Sequence, residues 1–222
     1  LGDTLPFLFW FGKVTNNEDY CKLVLDFSKK LVKKFQKEDG FFRTSSFEIY
    51  NFDKMTDLCL GLNLMYLLTK DDFYLLSSKK FFDAFYKLVS SKRGFIPYLH
   101  FKYLGVSLNF SSGKFGVYIE ELCNIYQLTN NKKYLDLANS IALIWLNDRS
   151  FLNNGLFPFL FRPKFLKPFA DYLFKRKIGF SISSFMSSKA NTNLIFGLLS
   201  LYKLTKDKTI LNALYRWHKG VK

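Results

Sequence analysis

The sequence predicts an all-α fold of repeated antiparallel helical hairpins, and three observations carry that prediction. A threonine-led turn recurs four times, as TNNEDY from Thr15, TKDDFY from Thr69, TNNKKY from Thr129 and TKDKTI from Thr205. A large residue stands five places after each threonine, as Tyr20, Tyr74, Tyr134 and Ile210. A glycine with an aromatic close behind ends three of the units, at Gly40-Phe41, Gly94-Phe95 and Gly155-Leu156-Phe157, and these glycines lie 25, 25 and 26 residues after their threonines. Spacing this regular marks a unit that buries its apolar face only by stacking on its neighbours.

Within each unit the elements follow in order. Before the threonine runs a stretch such as LPFLFWFGKV, DLCLGLNLMYLL, VYIEELCNIYQL or NLIFGLLSLYKL. These are apolar on nearly all sides, as a helix enclosed by others is. We term them inner helices and place them near residues 3–14, 53–68, 113–128 and 190–204, with no substantial sheet between them. Their predicted core residues are Phe7, Trp10, Leu58, Leu62, Met65, Tyr66, Leu122, Tyr126, Leu198 and Leu201. After the threonine comes a segment such as KKYLDLANSIALIWLND, apolar at three-to-four spacing with polar residues between, which is an outer helix with one buried stripe and one wet face. The Thr, Asn and Asp of the turn supply side-chain oxygens for helix-end amides. Asn51, Ser111-Ser112 and Ser187-Ser188 occupy N-cap positions of the next inner helices.

The segments returning from an outer helix to the next inner one lengthen along the chain. Gly40 to Asn51 is short, Gly94 to Ser111 longer, and Gly155 to Ser188 longest, with Pro158, Pro163 and Pro168 inside it. All three connect the same ends of their helices, so these aromatic-rich loops gather on one rim, where repeat folds place their binding surface.

A single domain over 1–222 is expected, burying about 70% of its unfolded surface. Hydrophobic residues make up 49% of the chain, with 27 Phe and 13 Tyr. No run reaches the ~18 apolar residues of a membrane span, because Lys13, Asn63, Glu120 with Glu121, and Lys203 interrupt the candidates. The reading is of a soluble protein, with the cytoplasm favoured. The opening at Leu1, inside an inner helix and without initiator methionine or signal-like start, reads as a processed chain or a piece of a longer one. Cys21, Cys59 and Cys123 lack CxxC or Cys-His spacing and read as small buried thiols. With two histidines, His100 and His218, a zinc site is not expected. No phosphate loop, dinucleotide fingerprint or nucleophile elbow appears, and no cofactor is expected.

The net charge of +15 raises nucleic acid as a partner. Most lysines fall on outer helices, as in Lys29, Lys30, Lys33, Lys34 and Lys37, where a lysine-rich solvated face is ordinary, so nucleic acid is disfavoured. A more pointed cluster is Arg162, Lys164, Lys167, Lys175, Arg176 and Lys177, interleaved with Phe161, Phe165, Phe169, Tyr172 and Phe174. Cations beside aromatic faces suit an anionic sugar or phosphate, and a solvated basic loop is the alternative.

Alternating inner and outer helices, joined by LYxLT-like turns (Leu64 to Thr69, Ile125 to Thr129, Leu201 to Thr205) and closed by a Gly-Phe or Gly-Leu-Phe stop, resemble the hairpins of the six-hairpin glycosidase-like (α/α) toroids. That superfamily includes glycoside hydrolases, polysaccharide lyases and sugar epimerases. The resemblance implies a carbohydrate-handling protein built as a toroid or incomplete toroid of about four hairpins. Eight helices stand here where a full ring has about twelve, which implies a partner or missing segment completing it.

In such toroids the chemistry lies in the funnel at the inner-helix N-termini. Twelve residues before each threonine stand Asp3, Asp57, Val117 and Asn193. Asp3, followed by Pro6, reads first as a helix cap. Glu120 and Glu121 lie a turn further in, and Asn124 and Gln127 continue the stripe from Glu120 at helical spacing. A carboxyl facing apolar walls has its pKa raised and suits a general acid, while a solvated one stays ionised as base or nucleophile. Glu120 and Asp57 are the expected catalytic pair on that reasoning. Tyr98, His100 and Tyr103 on the second rim offer lyase or epimerase chemistry, assisted by a cation such as Arg43 or Lys114. With Glu121, Arg162 and Asn193 these complete the expected substrate-binding set, whose ligand is an oligosaccharide or polysaccharide, in particular an anionic one. The competing reading is a non-catalytic helical-repeat scaffold that binds a protein partner, with Glu120, Asn124 and Gln127 as a polar stripe at an open edge.

Overall fold

The computed structural model describes residues 2, 4–43, 49–91, 99–101, 106–108, 112–157 and 188–221. The eight expected helices are present. Inner helices are α1 (Thr4–Val14), α3 (Phe52–Thr69), α5 (Ser112–Thr129) and α8 (Ser188–Thr205), and outer helices are α2 (Glu18–Phe35), α4 (Asp72–Ser91), α6 (Lys132–Leu146) and α9 (Lys208–Val221). A short α7 (Arg149–Asn154) follows α6, and three-residue strands β1 (Ile49–Asn51), β2 (Leu99–Phe101) and β3 (Val106–Leu108) form a small antiparallel sheet in the order β1-β2-β3. The chain divides into two compact units, Leu1–Leu108 with Asn124–Tyr134 and Asn109–Cys123 with Leu135–Lys222.

The repeated turn works by a mechanism the sequence only suggested. Each threonine hydroxyl donates back to the carbonyl four residues earlier: Thr15 to Phe11 at 2.9 Å, Thr69 to Met65 at 2.7 Å, Thr129 to Ile125 at 2.6 Å and Thr205 to Leu201 at 3.0 Å. In three turns the same oxygen accepts the N–H two residues on, from Asp71, Asn131 and Asp207. The side chains of those three residues then accept the amides of Phe73, Lys133 and Thr209. One threonine thus ends the inner helix while the Asx residue starts the outer one. The residue between them, Asn16, Lys70, Asn130 or Lys206, adopts φ of 52 to 59°, the left-handed conformation that reverses the chain. At the next helix start Asn51 accepts the Lys54 amide, as expected of an N-cap.

Two hairpin stops need their glycine for φ as well as for space. Gly40 (φ 94°) and Gly155 (φ 77°) each lie where a β-carbon would come 2.5 Å from a main-chain oxygen of a following outer helix, that of Lys80 and Arg216 respectively. Asn191 secures the second of these stops. Its buried amide accepts the Phe157 N–H at 2.9 Å and donates to the Phe157 carbonyl at 3.1 Å. Inner helices approach backbone to backbone at further glycines. In the first unit a β-carbon on Gly61 would fall 2.1 Å from the Gly2 oxygen, and in the second one on Gly197 would fall 2.4 Å from the Gly116 oxygen.

Leu58, Leu62, Met65, Leu122, Leu198 and Leu201 are buried as expected. Phe7 and Trp10 are not: they are 58% and 51% exposed, Phe7 at a place that the other inner helices bury and Trp10 on the line that they too leave accessible, with Leu64, Asn124 and Ser200. Tyr66 and Tyr126 are half-buried. Much of the core comes instead from outer helices and returns, with Phe81, Phe82 and Phe85 of α4 packed in ring-to-ring contact around Phe41 and Phe52.

Candidate functional site

Counting back from each threonine defines which side of an inner helix stays open. On α3 Asp57, Leu60, Leu64 and Leu67 are accessible; on α8 Asn193, Phe196, Ser200 and Lys203 are. These share the offsets −12, −9, −5 and −2. On α5 the same offsets hold Val117, Glu120, Asn124 and Gln127, again the least buried line of that helix. A 3.6-residue period makes such offsets one stripe, and the structure therefore puts Asp57, Glu120 and Asn193 on corresponding stripes of their helices.

Glu120 is half-buried, and burial raises its carboxyl pKa above the usual range while the positive charge of Lys203 pulls the other way. Both belong to the second unit, in which the Asn193 carbonyl lies against Gly116, one turn before Glu120; a β-carbon at 116 would stand 2.1 Å from that oxygen. Lys203, Phe196 and Ser200 were not singled out by sequence reasoning. The offset rule applied at −12 would have found them at −9, −5 and −2. Glu121 is buried, with 2% exposure, on the α5 face turned away from the open stripe. Cys123 follows both glutamates on α5, and burial, with their charges, pushes its thiol up to about 12. It is a protonated, unreactive thiol at neutral pH.

The other expected residues are placed as follows. Asp57 is exposed in the first unit, and its main-chain oxygen packs on Gly2. Arg43 is exposed, its N–H donating to the Phe35 carbonyl. Lys114 is half-buried near the start of α5. His100 pairs in register with Tyr50 of β1 and Ser107 of β3, which ties the second return to the first. Tyr98, Tyr103, Asp3 and the cationic stretch from Arg162 to Lys177 lie outside the described residues.

A second polar cluster belongs to the outer layer. Asp83 receives the Tyr134 hydroxyl at 2.5 Å, Lys133 at 2.6 Å and Lys79 at 2.7 Å. Burial would raise its pKa, but these three partners prevail and hold the carboxyl below its usual range. Asp83 and Lys79 also border a cavity of about 350 Å³ with Glu38, Asp39, Lys80 and Lys87. A cavity of about 250 Å³ in the second unit is lined by Leu146, Phe151, Ala213 and Arg216 among others. Neither takes in a residue of the open stripes. Among the described residues no three His, Cys, Asp or Glu side chains converge as metal ligands would, and no helix is long and apolar enough to cross a membrane.

No protein family matches the chain by sequence, and no curated protein does. Solved structures match over nearly its full length. A D-mannose isomerase aligns over 97% of this chain at 13% identity with a TM-score of 0.67. Two glycoside hydrolase family 76 enzymes of Bacteroides thetaiotaomicron also align: a mannosidase over 98% of this chain at 17% identity and TM-score 0.62, and an α-mannanase over 97% at 16% and 0.57. The fold is therefore of the (α/α) toroid type, built of repeated helical hairpins. The chain spans 55 to 58% of the length of these solved chains.

Proposed function

We propose that this chain handles carbohydrate, with mannose-containing sugars as the first substrates to consider, and that Glu120 is its proton-transfer group. The observation that carries the reading is the position of Glu120: a carboxyl on the open stripe of an inner helix, with burial favouring its protonated form. A carboxyl of that kind donates a proton to a glycosidic oxygen, or moves one at the carbon beside a sugar carbonyl. Lys203 stabilises the carboxylate left after donation, so the group is not locked in one state. Asn193, on the open stripe of the neighbouring α8, supplies an amide that donates to and accepts from sugar hydroxyls. The similarity of fold to an enzyme named for D-mannose and to two mannoside hydrolases supports the choice of sugar. The net charge of +15 favours acidic over neutral glycans as a further class, through attraction that weakens with salt.

The test is turnover of mannose and of α-mannooligosaccharides, followed by sugar analysis, for the wild type and Glu120→Gln. The variant keeps the size of the side chain and removes its proton chemistry. Loss of turnover with an unchanged circular dichroism spectrum is the expected result. A wild type that neither binds nor converts any neutral or acidic glycan overturns the reading and leaves the non-catalytic scaffold in its place.

A further inference from the structure

The open stripe of α8 carries polar side chains that the fold does not use. Among the described residues, the side chains of Asn193, Ser200 and Lys203 on α8 and of Glu120 on α5 make no hydrogen bond or ion pair, and Lys203 acts on Glu120 through its charge alone. Neighbouring groups of the same types are engaged: Asn191 holds both ends of its amide on Phe157, and Lys29, Lys79 and Lys133 each lie 2.5 to 2.7 Å from an aspartate oxygen. Phe196 stands on the same stripe between Asn193 and Ser200, 54% exposed. The corresponding offsets are accessible on α3 and α5 as well, so the openness of this line is a property of the repeat and not of its last hairpin.

The glycine contacts set the level of these groups. Gly116 of α5 packs between Asn193 and Gly197 of α8: a β-carbon at 116 would meet the Asn193 oxygen, and one at 197 would meet the Gly116 oxygen. One turn further along, Glu120 is therefore level with the turn from Gly197 to Leu201, which the open stripe flanks with Phe196 and Ser200. Lys203 follows three residues on, about 4.5 Å along the axis from Ser200, while Phe196 lies about 6 Å behind it. An aromatic face, a hydroxyl and a cation thus succeed one another in a line beside the carboxyl, all within the second unit.

Resting on the carbohydrate reading of this same site, we propose that the sugar it takes is a hexuronate, whose ring lies on Phe196 and whose carboxylate is held by Lys203 and Ser200. The phenyl face covers the C–H side of a pyranose ring. Lys203 supplies a charge-assisted hydrogen bond to the carboxylate and the Ser200 hydroxyl a second donor. One cation and one hydroxyl balance a monoanion, whereas a phosphate dianion beside Glu120 would be left with excess negative charge. A bound carboxylate also takes up the positive charge that otherwise favours ionised Glu120, which leaves Glu120 in its proton-donating form. Lys203 thereby selects the substrate as well as acting on the proton-transfer group.

Binding measured in the Glu120→Gln background tests this, because that variant removes both turnover and the influence of Lys203 on Glu120. The probes are methyl α-D-mannoside and the methyl glycoside of D-mannuronic acid, which differ only in the group on C5, titrated by calorimetry or NMR at low salt. The uronate should bind at least about tenfold more tightly, a preference that salt weakens. Adding Lys203→Met should abolish the preference and leave the neutral glycoside within about twofold, while adding Phe196→Ala should weaken both probes. Equal binding of the two probes, a preference that survives Lys203→Met, or a loss that falls alike on both probes in Lys203→Met overturns this inference and leaves the carbohydrate reading standing. Binding of neither probe, nor of any other glycan, overturns both. Circular dichroism on each variant separates lost binding from lost fold.

Discussion

The main-chain carbonyl of Asn193 occupies the space a side chain at position 116 would need: a β-carbon on Gly116 would lie 2.1 Å from that oxygen and 2.5 Å from the Leu194 Cα. The oxygen is main chain, and no rotamer change can move it away. Gly116→Ala should lower stability by about 1–3 kcal/mol as the helices are forced apart, even though alanine is favoured over glycine in a helix by about 1 kcal/mol. Thermal melting of the variant checks the balance. An unchanged or raised melting temperature would mean that α5 and α8 do not cross at this point.

Core truncation separates the buried inner positions from the bare ones. Leu62→Ala and Leu198→Ala, both at 0% exposure, should each cost about 2–5 kcal/mol in chemical denaturation. Trp10→Ala should fall within about 0.5 kcal/mol of wild type at low protein concentration, as an exposed residue does. Equal losses at all three would show that α1 is enclosed as the other inner helices are.

Asp83 links pH to stability. Its folded-state pKa is depressed, chiefly by Lys133, Lys79 and Tyr134 against the opposing effect of burial, so it contributes stability above its unfolded pKa that is lost as pH falls through the folded value. Asp83→Asn should therefore flatten the acid limb of the stability profile below about pH 4. Tyr134→Phe, which removes one charge-assisted hydrogen bond, should cost about 1.5–3 kcal/mol at neutral pH. Melting curves from pH 2 to 7 decide both. A profile for Asp83→Asn parallel to that of the wild type would show the cluster to be without net effect.

The hairpins were legible because their signals are local. A threonine, a left-handed residue and an Asx side chain are read within six residues, and expected inner helices at 53–68 and 113–128 differ from Phe52–Thr69 and Ser112–Thr129 by one residue at each end. The sheet was not legible, since strands of three residues such as Val106–Leu108 show no alternation. Nor was the bareness of α1 at Phe7, which stands at the place of the buried Gly61, Glu121 and Gly197 and is not marked as exposed by its own composition. For the candidate site, turn-relative spacing singled out Asp57 and Asn193, with Glu120 a turn further in. Lys203 was missed, because a lysine near a helix end reads as solvated until its position relative to a carboxyl on another helix is known.

Glu120 offers a prediction that does not depend on knowing a substrate. Burial raises its folded-state pKa above the unfolded value, so the folded chain holds that proton more tightly; the resulting stability is fully present below the unfolded pKa and is lost as pH rises through the folded one. Once ionised, the wild-type side chain is a burden on the fold, relieved only in part by Lys203. Glu120→Gln is permanently neutral and isosteric, and should melt at or above the wild-type temperature at pH 7, the difference vanishing below about pH 4. Lys203→Met should act in the opposite direction, lowering the wild-type melting temperature at pH 7 and leaving Glu120→Gln unaffected. A residue that stabilises the protein when its charge is removed is one whose presence the fold alone does not explain, and active sites show that trade of stability for chemistry. A destabilised Glu120→Gln across the whole pH range would instead make Glu120 a structural hydrogen-bond partner and withdraw it from the catalytic assignment.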